Sequence, residues 1–129
     1  MNLGSLYRDS GNFEKAIDYF SRSIELHKIG NKKTREANGY ANLGQLFAEK
    51  KEYNKALEYY FKSLKINKEY KVKRYKVAAT YSRIANVYLN MKDYKVALDY
   101  CFKSLKIYED ISMNSRKPSA LYKLSLIHI

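Results

Sequence analysis

The sequence predicts an all-α protein, a single run of antiparallel helical hairpins, and three observations predict it. The chain repeats itself: Asn2-Leu3-Gly4-Ser5-Leu6-Tyr7 returns 40 residues later as Asn42-Leu43-Gly44-Gln45-Leu46-Phe47. A third copy reads Arg83-Ile84-Ala85-Asn86-Val87-Tyr88, and a fourth begins at Lys123-Leu124-Ser125-Leu126. Internal periods of this length are the mark of stacked supersecondary units. Within each copy the apolar residues fall at the 3.6-residue spacing of an amphipathic helix. With five Gly and one Pro in 129 residues, the chain also lacks the punctuation that strands and β-turns need.

Each unit reads as two helices. Tyr40, Leu43, Gly44 and Phe47 form one stripe of a first helix. Tyr53, Ala56, Leu57, Tyr60 and Leu64 form the stripe of a second. The second helix recurs as Phe13-Glu14-Lys15-Ala16-Ile17-Asp18-Tyr19-Phe20 and as Tyr94-Lys95-Val96-Ala97-Leu98-Asp99-Tyr100-Cys101. Between them lie Ser10-Gly11-Asn12, Lys50-Lys51-Glu52 and Met91-Lys92-Asp93, connections short enough to force antiparallel packing. Asn12 and Asp93 are placed to cap the helices that follow. Small residues at Gly4, Gly44 and Ala85, and at Ala16, Ala56 and Ala97, mark where two helices approach closely beside a large aromatic.

The domain organisation expected is one array over 1–129. A first repeat covers about 1–32 and is truncated at its start; a second covers about 33–72 and a third about 73–113. The first helix of a fourth falls at about 117–129, with no second helix to cover Leu121, Leu124 and Ile127. Solenoids need polar end caps, so the expectation is a segment of a longer protein, open to end-to-end self-association through its uncapped termini.

The order Tyr40, Leu43, Gly44, Phe47, Ala56, Tyr60 resembles the tetratricopeptide repeat over essentially the whole chain. That resemblance implies a right-handed α-solenoid with the first helices lining its concave face. The period of about 40 residues is longer than that family's usual 34. It is similar to the longer-helix arrays of kinesin light chains, Leu-Gly-Asn repeat scaffolds and bacterial signalling proteins. The additional residues are expected to lengthen the second helices, through Ile29, Tyr70 and Ile111.

On a concave face built from first helices, the residues opposite the core stripe are those a ligand would meet. They are Asn2 and Ser5; Asn38, Asn42, Gln45 and Glu49; Arg83, Asn86 and Asn90; and Lys123. Carboxamides carry both a donor and an acceptor, which suits the N–H and C=O groups of an extended peptide. Arg83 and Lys123 stand where an asparagine ladder would continue, which points to an acidic residue in the ligand. The function expected is a scaffold that binds a peptide or partner protein on this face. A sensory or regulatory segment of a larger histidine kinase or transcription regulator is the alternative.

Lys+Arg exceed Asp+Glu by 25 to 13, a net charge of +12. The excess gathers at Lys62, Lys65, Lys68, Lys71, Lys73, Arg74 and Lys76, on second helices and connectors. A basic nucleic-acid-binding edge is the lesser reading, because lysines three and four apart among Glu58 and Glu69 describe a solvated helix face. The tyrosines fall mainly at core positions, Tyr94 among them. No signal peptide or spanning segment is evident at the sequence level, and a cytoplasmic location is expected. Cys101, the single cysteine, is expected to be a small buried hydrophobe. His27 and His128 belong to unrelated registers, and neither Cys/His metal spacing nor a Gly-rich phosphate loop occurs. No enzymatic activity, metal or cofactor is expected.

Overall fold

The computed structural model describes residues 3–70 and 73–115. Six helices follow in order: α1 (Leu3–Asp9), α2 (Phe13–Ile29), α3 (Lys33–Glu49), α4 (Tyr53–Glu69), α5 (Arg74–Asn90) and α6 (Tyr94–Ser115). Each packs on its neighbours in sequence, and α3 also touches α5. The stack is therefore built from nearest neighbours, as expected of an array whose units each bury only one face alone. The helix expected at about 117–129 lies outside the described residues.

Four of the connections share one geometry. Gly11, Asn31, Lys51 and Lys92 each take a positive φ, between 55° and 81°. The next residue's N–H then reaches back five residues, as in Lys32 N–H to His27 O at 2.8 Å and Glu52 N–H to Phe47 O at 2.9 Å. This left-handed ending satisfies carbonyls that the helix itself leaves free. Asn12 then caps α2 by accepting from Lys15 N–H at 3.3 Å, and Asp93 caps α6 by accepting from Val96 N–H at 3.4 Å.

The core alternates hole and knob. A Cβ placed on Gly4 would lie 2.6 Å from the Phe20 ring, and one on Gly44 would lie 2.6 Å from the Tyr60 ring. At the same register the third repeat has Ala85 opposite Cys101, a larger hole residue with a smaller knob. The side of the stack carries rings in register: Tyr59 stacks between Tyr40 and Phe47, and Tyr100 lies between Tyr81 and Tyr88, with centroids 5.5–6.1 Å apart.

Two expectations fail on α6. Cys101 is exposed, although its counterparts Phe20 and Tyr60 are buried. Tyr94 is exposed as well. Their common cause is that α4 is covered by α5, whereas nothing among the described residues covers the corresponding face of α6. Leu57 keeps 8% of its surface, yet its repeat counterpart Leu98 keeps 55%. An amphipathic stripe records which face is apolar; burial requires the next helix.

Candidate functional site

The groove lies between α3 and α5 with α4 beneath it. It begins from spacing: Ala41 and Ala48 on α3, and Ala79 on α5, are small enough to leave open volume between helices that nearly touch. Two adjoining segments result, of about 410 and 380 Å³, and Arg83 lines both.

The first segment brings together Asn38, Asn42 and Arg83. The Lys76 ammonium, from α5, donates to the Asn38 side-chain carbonyl at 3.3 Å and so spans the groove. The second segment brings together Gln45, Glu49, Arg83, Asn86 and Asn90. There the Gln45 amide donates to the Glu49 carboxylate at 3.5 Å. Seven of the residues expected from sequence thus line the two adjoining groove segments. Ser5 is half-buried on α1, away from these segments. Asn2 and Lys123 lie outside the described residues.

The Tyr60 ring forms part of the floor. Its phenol is pushed up to about 12 by burial, with Arg83 pulling it down and Glu49 pushing it up. It therefore acts as a neutral donor at any ordinary pH. No carboxylate among the described residues comes within ion-pair distance of Arg83. A guanidinium left this way in a groove is available to an anionic ligand group.

Part of the basic edge is engaged inside the fold. The Lys62 ammonium sits 5.6 Å from the Tyr40 ring centre and 5.3 Å from that of Tyr59, and it pairs with Glu58 at 3.7 Å. Lys103 repeats this over Tyr81 and Tyr100, at 5.8 and 4.8 Å. Lys68 donates to the Tyr81 hydroxyl at 3.3 Å. These lysines cover the aromatic side of the stack, each contact contributing about 0.5–1 kcal/mol at such exposed sites.

Among the groove residues outside the expected set, Lys76 and Thr80 sit on α5, two turns and one turn before Arg83, and Ser63 and Asn67 belong to a second helix. The signal for the last two is present in the sequence. They extend the apolar register of Ala56 and Tyr60, where a polar side chain is out of place.

A tetratricopeptide repeat profile matches residues 1–69, more than half of the chain. The chain belongs to the tetratricopeptide repeat family. A second profile of the same description matches residues 77–112. No curated relative matches the sequence. Among solved structures, RapI superposes with a TM-score of 0.76 at 27% identity, covering 85% of this chain and 39% of its own. The tetratricopeptide domain of Arabidopsis FLU superposes at 0.75 with 22% identity, covering 83% and 89%. The TPR2AB domain of yeast Sti1, solved in complex with pHSP90, superposes at 0.72 with 24% identity, covering 95% and 42%. The last two likenesses concern the fold alone. The chain spans well under half the length of RapI and of the Sti1 structure.

Among the described residues no helix is long and apolar enough to cross a membrane, and no cluster of three or more His, Cys, Asp or Glu could hold a metal ion.

Proposed function

We propose that this tetratricopeptide repeat array is a protein-interaction scaffold that holds an extended or helical peptide of a partner protein in the groove between α3 and α5. The observation that carries it is Arg83, shared by both groove segments and flanked by Asn42, Gln45 and Asn86. Each amide contact to a peptide backbone contributes about 0.5–1.5 kcal/mol net, so a row of them is needed. On this fold the TPR2AB domain of yeast Sti1 forms a complex with pHSP90. The spacing of 40 to 41 residues between equivalent positions favours the longer-period members of the family. On this reading Asn2, Ser5 and Lys123 continue the ligand path beyond α3 and α5, and a partner with acidic residues suits Arg83.

Asn42→Ala combined with Arg83→Ala tests the groove by fluorescence anisotropy, using a labelled peptide selected on the unmodified chain. Binding is expected to weaken by about a hundredfold, three contacts' worth. Unchanged peptide affinity, together with tight RNA binding that collapses between 50 and about 200 mM salt, would replace this reading with a nucleic-acid one.

A second reading concerns the face of α6 that none of the described residues covers. Ala85, Leu89, Leu98 and Cys101 border an open apolar hollow of about 630 Å³. We take it as the seat of the next repeat helix; association that rises with concentration would assign it to a second copy of the chain. Sedimentation at rising concentration checks this, and a concentration-independent monomer with Leu98 protected from solvent would assign the face to the chain's own next helix.

A further inference from the structure

The groove segment beside Asn38 and Asn42 holds a feature that the scaffold reading does not explain. Ser63 keeps 1% of its surface and Asn67 keeps 3%, and both line this segment from α4. Neither the Ser63 hydroxyl oxygen nor the Asn67 side-chain carbonyl oxygen has a hydrogen-bond partner among the described residues. Elsewhere the fold satisfies the same position: Ser104, the counterpart of Ser63 in the next repeat, donates to Ala78 O at 2.8 Å. An unsatisfied buried polar atom costs about 1–3 kcal/mol, and native structures hold few of them. Alanine or leucine at these positions would avoid that cost and suit the apolar register they occupy.

The charge around these atoms has one sign. Lys76 and Arg83 line the segment, and none of its lining residues is a carboxylate. Among the described residues the Lys76 ammonium is held by the Asn38 amide, a neutral acceptor, and by no carboxylate. The Ser63 hydroxyl can donate by turning its hydrogen. The Asn67 amide can present either its oxygen or its nitrogen by rotation about its last torsion. With its amide turned so that the nitrogen stands where the unpartnered oxygen does, Asn67 donates beside the Ser63 hydroxyl, and two cations with these two groups match an acceptor-only group with two oxygens.

We propose that this segment is a subsite for one acidic side chain of the bound peptide, with Lys76 and Arg83 supplying the charge and Ser63 and Asn67 the hydrogen bonds. The proposal rests on the groove being a peptide site and names the chemistry of one position in it. The carboxylate takes the Lys76 ammonium from Asn38, and Asn38 is then free to pair with the peptide backbone.

A random twelve-residue peptide library displayed on phage is selected against the full chain. The strongest binder is then synthesised with each Asp or Glu replaced in turn by Asn or Gln. One replacement is expected to weaken binding to the unmodified chain by about tenfold or more, and to weaken it several-fold less on a Ser63→Ala/Asn67→Leu variant, which keeps the two cations and loses the hydrogen bonds. That variant should melt at the same temperature or higher, because it removes unsatisfied polar atoms. Lys76→Gln, on a partly exposed side chain, provides the same comparison if the double variant does not fold. Peptides that require Asn42 yet show no acidic position coupled to residues 63, 67 and 76 would overturn the subsite and leave the groove intact. A selection returning no peptide that depends on Asn42 and Arg83 would overturn the groove reading, and the subsite with it.

Discussion

Replacing Gly44 with alanine tests the packing logic of the whole array. A Cβ there would stand 2.6 and 2.7 Å from two atoms of the Tyr60 ring and 3.0 Å from a third. Carbon atoms pack at about 3.5–4.0 Å, so the helices or the ring must shift by about 1 Å. Tyr60 is 2% exposed and walled in by α5, so the ring has little room to move. Overpacking of this kind costs about 1–3 kcal/mol, and three close contacts place it near the top of that range. Alanine returns about 1 kcal/mol of helix propensity. The net loss is about 2 kcal/mol, or roughly 7 °C in Tm for a chain of this size. Gly30→Ala is the control, since its Cβ meets nothing closer than 3.4 Å. It should be neutral or stabilising by up to about 1 kcal/mol. Adding Tyr60→Cys to Gly44→Ala reproduces the Ala85/Cys101 pair of the third repeat, and a double-mutant cycle should show about 1 kcal/mol or more of favourable coupling. Thermal and urea melts read all of these. Equal stability of Gly44→Ala and Gly30→Ala would refute the reasoning.

Lys51 holds a φ of 63°, a strain that glycine avoids, so Lys51→Gly should raise stability by about 0.5–1 kcal/mol in urea titrations. Because burial raises the Tyr60 phenol in the folded state to about 12, the stability it confers is fully present below about pH 10 and lost as pH rises through 12. Tyr60→Phe should therefore flatten the alkaline limb of a stability profile, and an unchanged limb would count against a buried neutral phenol. Leu57→Ala should cost about 2–5 kcal/mol and Leu98→Ala far less, as 8% against 55% exposure requires; equal losses would mean that the α6 face is covered. Asn12→Ala should cost about 1 kcal/mol through loss of the cap at Lys15 N–H, seen as earlier melting of α2 in hydrogen exchange.

Much of the architecture was legible because the repeat writes each structural rule several times. Gly4 and Gly44 sit 40 residues apart, as do Phe20 and Tyr60, so hole and knob could be paired without coordinates. Asn38, Asn42, Gln45 and Arg83 were legible for the same reason, since the face opposite a core stripe follows from helix period alone. Cys101 and Tyr94 were misread because their register matches that of buried residues, and register does not say whether a covering helix follows. Lys76, Ser63 and Asn67 were missed because they belong to the groove through contacts between helices of different repeats.

The sequence by itself determined the helices, their caps at Asn12 and Asp93, the pairing of small and large residues, and which side chains of α3 and α5 stand opposite the core stripe. Each depends on spacing along one chain segment, which a period of 3.6 or of 40 residues encodes directly. Tertiary structure alone decided that Arg83 lines two groove segments, that Lys62 and Lys103 lie over tyrosine rings, and that Ser63 and Asn67 stand without a partner among the described residues beneath a cationic hollow. These depend on how far apart α3, α4 and α5 come to rest. That separation emerges from the summed packing of all their side chains, and no single spacing records it.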